Sequence, residues 1–236
     1  LGVIPLKKTL LTLAGATVLS MSAQAEQFWA DNSISVLNGS NYTNAFSGAD
    51  EEFTTMTLEH VSGHSWGGVF LFMDRHNGDA TETYIEVSPK ATLAKLDGVV
   101  SNINVAMTYE NGSSQFANFD NYLYGVGADL KIPSMNFASA TLYRAFNDNA
   151  DDDNQVTLTY GFSAGNFNVD GYVDYSFGAD DAEDQLHFNP QLTYNIAPML
   201  GASNKIKLGL EYSYWDNKIG QTEDQSSVSL ILKAHL

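Results

Sequence analysis

The chain has 236 residues, no cysteine and a formal net charge of −17 at pH 7. This acidic balance excludes nucleic acid as an expected partner, because phosphate binding needs clustered lysine and arginine. Without cysteine the chain cannot be a disulfide-stabilised scaffold, and the composition fits a protein that folds through the bacterial periplasm.

The N-terminal residues 1–25 have the pattern of a secretory signal peptide. Lys7 and Lys8 form a short basic region, an apolar run covers Thr9–Leu19, and the segment ends in Ala23-Gln24-Ala25. The apolar run is shorter than the roughly 20 residues that a membrane-spanning helix needs. We therefore expect cleavage before Glu26 and one domain over residues 26–236.

The rest of the chain alternates between strand-like segments and turn-rich gaps, without helical periodicity. The predicted strands are Ser33–Gly39, Phe53–Val61, Trp66–Asp74, Glu82–Leu93, Ser101–Glu110, Asp120–Lys131, Asn136–Phe146, Asn154–Ala164, Phe167–Gly178, Gln185–Ile196, Asn204–Trp215 and Gln225–Leu236. Residues 26–32, before the first of these strands, are expected to fold into the interior as a small plug. For Trp29 the alternative is a place in an interfacial aromatic belt.

The clearest pattern covers Asn154–Gly178. Apolar residues such as Leu158 and Val173 alternate with polar residues such as Thr157 and Asp174, which predicts two strands with one apolar and one polar face. Gly165-Asn166 between them suits a tight hairpin turn. Each strand is about as long as the ~9–11 residues that a tilted transmembrane strand requires.

The acidic residues between the strands are concentrated in every second gap along the chain. One set of gaps is short and contains Asp97 as its one acid, whereas the other set is longer and acidic, with examples in Asp151–Asp153 and Asp180–Asp184. An up-and-down barrel places alternate connections on opposite rims, with short turns at the periplasmic side and long loops outside. The prediction is an all-β, 12-stranded antiparallel up-and-down transmembrane β-barrel, monomeric, in the bacterial outer membrane. The alternative is a secreted soluble β-sandwich or small barrel with its apolar face inward, which leaves the sorted acids unexplained.

Several segments resemble the nucleoside-specific outer-membrane channels, the Tsx family, which includes OmpK-type outer-membrane proteins. Tyr84–Leu96 resembles the Glu-x-x-Pro-Arg/Lys segment of that family through Glu86, Pro89 and Lys90. The remaining similar pieces are Trp29 with Ser33–Tyr42, Leu58-Glu59 with Trp66 and Asp74, and Asn121–Leu130 with Pro133 and Arg144. The resemblance implies a twelve-stranded barrel with a narrow pore that passively admits nucleosides and deoxynucleosides.

A nucleoside pore needs aromatic rings to stack on the base and polar groups to meet the ribose hydroxyls. On this basis the candidate substrate-binding residues of the lumen are Trp29, Glu59, Phe70, Phe72, Tyr84, Glu86, Arg144, Tyr172 and Trp215. Phe70 and Phe72 are assigned to the lumen on the condition that Asp74 faces inward. Arg144 is expected to face inward because a lipid-facing arginine at mid-membrane costs about 2–4 kcal/mol.

Structural alternatives stay open for these residues. The charged ones can form a lumen network in which they neutralise one another, and the phenylalanines can pack against lipid. An alternative function is a surface receptor or structural barrel with a largely plugged lumen, for instance for phage attachment. Expected partners besides nucleosides are outer-membrane lipid and lipopolysaccharide.

Signals for an enzyme are weak, and we expect no enzymatic activity and no cofactor. Gly161–Gly165 has the Gly-x-Ser-x-Gly spelling but precedes a hairpin turn instead of a helix. The five histidines show no metal-ligand spacing. A hydrolase, with His187 as its base, would require a serine and a histidine within hydrogen-bond distance at the bilayer boundary.

Overall fold

The computed structural model describes residues 26–43, 50–78, 81–180, 182–218 and 224–236, and residues 1–25, with the predicted signal peptide, lie outside them. Within these ranges the chain forms twelve β-strands and one short helix. The strands are β1 Gln27–Thr43, β2 Asp50–His64, β3 Gly67–Asn77, β4 Thr81–Lys95, β5 Val100–Ser113, β6 Asn118–Leu130, β7 Phe137–Phe146, β8 Asn154–Ala164, β9 Phe167–Phe177, β10 Gln185–Asn195, β11 Ile206–Asp216 and β12 Gln225–His235, and helix α1 covers Ala197–Leu200. In the described residues no helix has the length and apolar character needed to cross a membrane.

Each strand pairs antiparallel with its sequence neighbours, and β1 closes the barrel by pairing with β12 from Ser33–His235 to Ser40–Val228. The predicted 12-stranded antiparallel barrel is therefore confirmed. Closure leaves no unpaired strand edge, which is the condition for a sheet to lie within lipid.

The alternation of side chains is confirmed in the hairpin of β8 and β9. The pairs Thr157–Asp174 and Thr159–Tyr172 face the lumen, and the pair Leu158–Val173 faces outward. The hairpin turns at Gly165, whose φ of 62° lies in the left-handed region that glycine adopts without strain. Large apolar side chains elsewhere on the outer surface are exposed, among them Leu142, Leu192, Leu210 and Leu230.

Outward-facing aromatic rings lie near both ends of the strands. At the end with the acidic loops, Tyr109 and Tyr122 have ring centroids 5.2 Å apart, and Tyr175 stacks on Phe177 at 5.5 Å. At the opposite end, Phe167 contacts Tyr194 edge-to-face at 4.8 Å. Two aromatic belts with an aliphatic band between them are typical of transmembrane barrels.

The N-terminal segment forms part of the wall. Gln27 pairs with His64 and Trp29 with Gly63, so residues 27–32 belong to β1, and the expectation of a separate plug is wrong. The backbone hydrogen bonds that a plug would leave unmade are instead satisfied by β2. The indole of Trp29 itself covers Gly63, where an added Cβ would lie 2.4 Å from the indole Nε1 atom.

Candidate functional site in the barrel lumen

The registers between strands identify which side chains face the lumen. One continuous row runs around five strands, from Glu59 through Phe72, Glu86 and Glu110 to Asn121. Paired residues lie on the same face of a sheet, and Glu59 is inward because it contacts the buried Lys233. The whole row therefore lines the lumen.

A ladder of aromatic rings crosses this wall. The ring centroids of Phe70 and Phe72 are 5.6 Å apart, those of Phe72 and Tyr84 are 5.4 Å apart, and those of Tyr84 and Phe119 are 6.3 Å apart. Between Tyr84 and Phe119 the strand β5 contributes Gly112, and a Cβ there would lie 2.1 Å from the ring of Phe119. The glycine is therefore what allows the ladder to continue onto β6. We call Phe70, Phe72, Tyr84 and Phe119 the aromatic ladder.

Carboxylates outnumber cations on the lumen face of the described strands. Inward-facing strand positions carry Asp31, Glu51, Glu59, Asp74, Glu82, Glu86, Glu110, Asp129, Asp170, Asp174 and Glu211, against Lys90, Lys95, Lys207 and Lys233. Lys233 pairs with Glu59 at 2.6 Å and Lys90 with Asp129 at 2.6 Å. The lumen therefore has a negative potential that attracts cations and disfavours anions.

Neutral donors hold several of the other carboxylates in place. Thr157 donates a hydrogen bond to Asp174 at 2.6 Å, Asn121 donates to Glu110 at 3.1 Å, and Gln191 donates to Glu211 at 2.8 Å. A neutral donor orients a carboxyl group without pairing it to a cation. Asp174, Glu110 and Glu211 therefore remain available to a solute that brings hydrogen-bond donors.

The opposite wall carries a second aromatic group. His187 stacks on Trp215 with centroids 3.9 Å apart, and Tyr172 meets the His187 ring edge-on at 5.1 Å. The Tyr172 hydroxyl lies 3.3 Å from His187 Nδ1, and Lys218 lies 5.8 Å above the Trp215 ring. This group is near the end of the lumen with the acidic loops.

Tyr172 extends towards the facing wall. Its strand, β9, lies six strands away from β3 in the closed order, on the opposite side of the barrel. Its phenol is nevertheless close enough to the wall that carries Asp74 and Glu86 to sense their charge. Tyr172 therefore extends into the lumen towards the carboxylates beside the aromatic ladder.

Most of the residues chosen from sequence meet in the lumen. Glu59, Phe70, Phe72, Tyr84 and Glu86 lie together on one wall, and Tyr172 and Trp215 lie on the other. Trp29 lies apart from them, at the rim with the short turns. Asp74 faces the lumen, because it accepts a hydrogen bond from the lumen residue Thr57. Phe70 and Phe72 therefore face the lumen as well.

The expectation for Arg144 is wrong. It pairs with Tyr124 and Asn154 on the outer face, next to the exposed Leu142, and its guanidinium lies 3.5 Å from the Asn154 side chain. A lipid-facing arginine is costly only near the middle of the membrane. Arg144 lies instead two residues from the outer end of β7, at the level of the aromatic belt, where an arginine can reach water.

Sequence reasoning missed Phe119 and the role of His187. Phe119 lies just outside the predicted strand Asp120–Lys131, and its parity with Asn121 could have placed it in the lumen. His187 was considered only as a base, whereas it is also the stacking partner of Trp215. It does lie near a serine, with His187 Nε2 3.1 Å from Ser213 Oγ inside the lumen.

The fold is that of outer-membrane porins. The barrel is similar to the NanC porin, with a TM-score of 0.55 and 12% identity over 86% of this chain and 100% of that one. It is also similar to the KdgM porin, with a TM-score of 0.54 and 12% identity over 86% and 98% of the two chains. A KdgM structure in complex with disordered oligogalacturonate matches with a TM-score of 0.52 and 11% identity, over 86% of this chain and 98% of that one. No protein-family model and no curated protein matches the sequence, so the resemblance to the nucleoside-specific channels stays a prediction.

A closed twelve-stranded barrel with an apolar exterior, two aromatic belts and a polar lumen defines a bacterial outer-membrane β-barrel. Within that class, the chain has the porin type of architecture, in which the lumen wall carries the candidate site.

Proposed function

We propose that the protein is a passive outer-membrane channel that admits nucleosides and deoxynucleosides. The observation that carries this proposal is the aromatic ladder, which offers successive ring faces along one wall of the lumen. Stacking of a base on an aromatic side chain contributes about 1–3 kcal/mol and does not depend strongly on which base is stacked. A ladder of such faces lets a solute move between weak sites, as conduction requires.

The carboxylates beside the ladder support a nucleoside over a purely apolar solute. Glu86 pairs directly with Phe72, and Glu110 is the next residue in the same row. A carboxylate accepts hydrogen bonds from the sugar hydroxyls, of which a deoxynucleoside keeps the 3′ and 5′ groups. Base stacking on Phe72 would therefore bring the sugar within reach of these acids.

The charge of the lumen supports a neutral or cationic solute. The oligogalacturonate in the KdgM complex is a polyanion, and it would be repelled by the excess of carboxylates in this lumen. A nucleoside is uncharged at neutral pH and meets no such barrier. The proposed binding residues are Trp29, Glu59, Phe70, Phe72, Tyr84, Glu86, Tyr172 and Trp215, with Phe119 added.

Conductance in planar bilayers tests this function. Adenosine or thymidine should reduce the current reversibly, and Phe72→Ala should raise the half-blocking concentration roughly tenfold, which corresponds to about 1.4 kcal/mol of lost stacking. Phe162→Ala is the matched control, because Phe162 lies on the outer face and should leave the block unchanged. Ready block by another class of solute, without block by any nucleoside, would refute the substrate assignment.

A surface receptor with a closed lumen is the second candidate, and the extension of Tyr172 into the lumen favours it. Its recognition elements would be the acidic outer loops, which would bind phage or bridge to lipopolysaccharide. Such a barrel would show no resolved single-channel current, whereas the proposed monomeric channel would show a small one. The same bilayer recording therefore separates the two functions.

A further inference from the structure

A polar cluster lies on the outer, lipid-facing surface of the barrel. Strict alternation along β2 places His60, Ser62 and His64 on the same face as Met56, which is 41% exposed to the outside. Asn32 joins them from β1, where it pairs with His60. We call Asn32, His60, Ser62 and His64 the outer-face cluster.

The neighbours of this cluster are apolar. Across the ladder to β3, His60 pairs with Leu71 and Ser62 pairs with Val69. On the outer face of a transmembrane barrel, polar side chains are costly and normally replaced by aliphatic ones. The outer face of β3 is apolar at this level, whereas the cluster on β1 and β2 is polar.

The side chains of the cluster are joined by short hydrogen bonds. His60 Nε2 lies 3.0 Å from Ser62 Oγ, and His60 Nδ1 lies 2.8 Å from Asn32 Oδ1. His64 Nε2 lies 2.9 Å from Ser62 Oγ on the other side. A serine, an imidazole and a third group that orients the imidazole are the three parts of a nucleophilic triad.

The Asn32 oxygen determines the tautomers. An amide oxygen only accepts hydrogen bonds, so His60 Nδ1 carries a proton and donates it to Asn32, which leaves Nε2 with a free lone pair. Ser62 therefore donates its hydroxyl proton to His60 Nε2. His64 Nε2 then donates to Ser62 Oγ, and His64 Nδ1 is the unprotonated atom. His60 is thus the imidazole that can accept the serine proton.

We propose that the outer-face cluster is a second site, a serine hydrolase that cleaves the acyl ester bonds of membrane phospholipid. Ser62 is the nucleophile, His60 is the general base and Asn32 positions the imidazole. The site is independent of the lumen, because these side chains face away from it.

The chemistry needs water as its one co-reactant. Ser62 Oγ forms a bond to the ester carbonyl carbon while its proton passes to His60 Nε2, and the carbonyl electron pair becomes an oxyanion. The oxyanion collapses, the bond to the glycerol oxygen breaks, and His60 returns the proton to that oxygen. Water then attacks the acyl-Ser62 ester in the same way, releasing a fatty acid and the free serine.

Two unpartnered atoms lie beside the triad. Trp66 Nε1 and His64 Nδ1 are buried and have no hydrogen-bond partner among the described residues, and the two rings stack at 5.4 Å. A buried N–H group without a partner is uncommon and needs an explanation. The indole N–H of Trp66 is thus an unsatisfied donor next to His64, which is itself hydrogen-bonded to Ser62.

The depth of the site suits an ester substrate. Ser62 lies two residues before β2 ends at the short connection to β3, which is roughly 5 Å below the rim for a tilted strand. Glycerol ester groups lie at this boundary between hydrocarbon and head group. By the assignment of short turns to the periplasmic side, the adjacent leaflet consists of phospholipid.

A groove next to the cluster can hold part of an acyl chain. It has a volume of about 100 Å³ and is lined by Trp66, Pro89, Lys90, Ala91, Val105, Ala106 and Met107, of which Val105 is exposed on the outer surface. Trp66 belongs both to this groove and to the stack with His64. An acyl chain in the groove therefore leads towards Ser62.

Access to the nucleophile requires His64 to move. Ser62 is 3% exposed, because an imidazole lies on each side of its hydroxyl. The bond from His64 occupies one of the two lone pairs of Oγ, and because Ser62 is covered, His64 must move before an ester can reach the other lone pair. His64 covers the site and His60 activates it, and this division of roles can be tested.

The other serine–histidine pair lacks these features. Ser213 and His187 face the lumen, and the group at His187 Nδ1 is the hydroxyl of Tyr172, which can either donate or accept. The tautomer of His187 is therefore not fixed. In the outer-face cluster, by contrast, His60 is defined as the base of Ser62 and the two residues face lipid.

Covalent labelling tests the proposal. The full-length protein in mixed micelles of dodecyl maltoside and dioleoylphosphatidylethanolamine should release oleate, and a fluorophosphonate should form an adduct that peptide mass spectrometry maps to Ser62. Ser62→Ala should abolish the adduct, and His60→Ala should reduce oleate release by about 10²- to 10⁴-fold. Ser226→Ala, an outward serine next to Tyr212, is the matched control and should keep both activities.

The variants also test the assigned roles. His64→Ala should retain labelling, whereas loss of labelling in His64→Ala with its retention in His60→Ala would overturn the assigned base. Asn32→Ala should lower kcat with KM unchanged, and Asn32→Asp, which keeps an acceptor oxygen, should restore it. If Ser62→Ala fails to fold, the adduct on the unmodified protein decides, and its absence from Ser62 refutes the proposal.

Discussion

A lysine placed on the lipid face of β9 should destabilise the barrel far more than a lysine on the adjacent lumen face. Val173 lies near the middle of β9 and pairs with the outward residues Leu158 and Phe188. A lysine at mid-membrane on this face costs roughly 2–4 kcal/mol. Val173→Lys should therefore reduce the folding equilibrium constant by about 30- to 700-fold.

Thr159→Lys is the matched control. Thr159 lies on β8 beside the same region, but it faces the lumen and pairs with Tyr172. The substitution removes the 2.7 Å hydrogen bond with Ser139, which contributes about 1 kcal/mol, and the added charge is attracted to the lumen carboxylates. We expect a loss of less than about 1 kcal/mol.

Reversible urea unfolding in phosphatidylcholine vesicles measures both values. Tryptophan fluorescence reports the transition, and the gel mobility of unboiled samples reports the folded barrel. A loss of unfolding free energy for Thr159→Lys equal to or greater than that for Val173→Lys would refute the assignment of faces.

Three other predictions concern conduction. Gly112→Ala should raise the half-blocking nucleoside concentration several-fold, because the added Cβ would lie 2.1 Å from the Phe119 ring and displace it from the aromatic ladder; an unchanged block would contradict the role of that ring. Glu82→Gln combined with Asp170→Asn should shift the reversal potential in a KCl gradient towards lower cation preference, since two lumen carboxylates are lost; an unchanged potential would contradict an effect of these charges. Burial lowers the pKa of Lys218 to about 8, so its charge is present below that pH and lost above it, and cation current should rise between pH 7 and pH 9. Lys218→Arg, which stays charged, should show no such rise.

Much of the fold follows from alternation in the sequence. The hairpin of β8 and β9 has the predicted bounds to within one residue, because one of its faces is apolar and the other polar throughout. The predicted strand Trp66–Asp74 is apolar on both faces, so its pattern contains no information on orientation. Its facing follows from the register with β2, in which Thr57 and Asp74 are partners.

The sequence does not show how deep a residue lies in the membrane. Arg144 alternates like a wall residue, but its level depends on the register between strands and on the tilt of the barrel. The same holds for Ser62, which the sequence places in a turn because the predicted strand ends at Val61. The strand continues to His64, and this extension brings Ser62 onto the outer surface.

The seam between β1 and β12 has a consequence for how the protein assembles. The partners across it are far apart in sequence, as in Ser33 with His235, and Gly39 packs so closely on Ser229 that a Cβ would lie 2.1 Å from its hydroxyl oxygen. Until β12 reaches the membrane, β1 has one edge without hydrogen-bond partners in an environment that supplies none. Completion of the barrel therefore depends on the last strand, and a chain that ends before residue 225 cannot close the sheet.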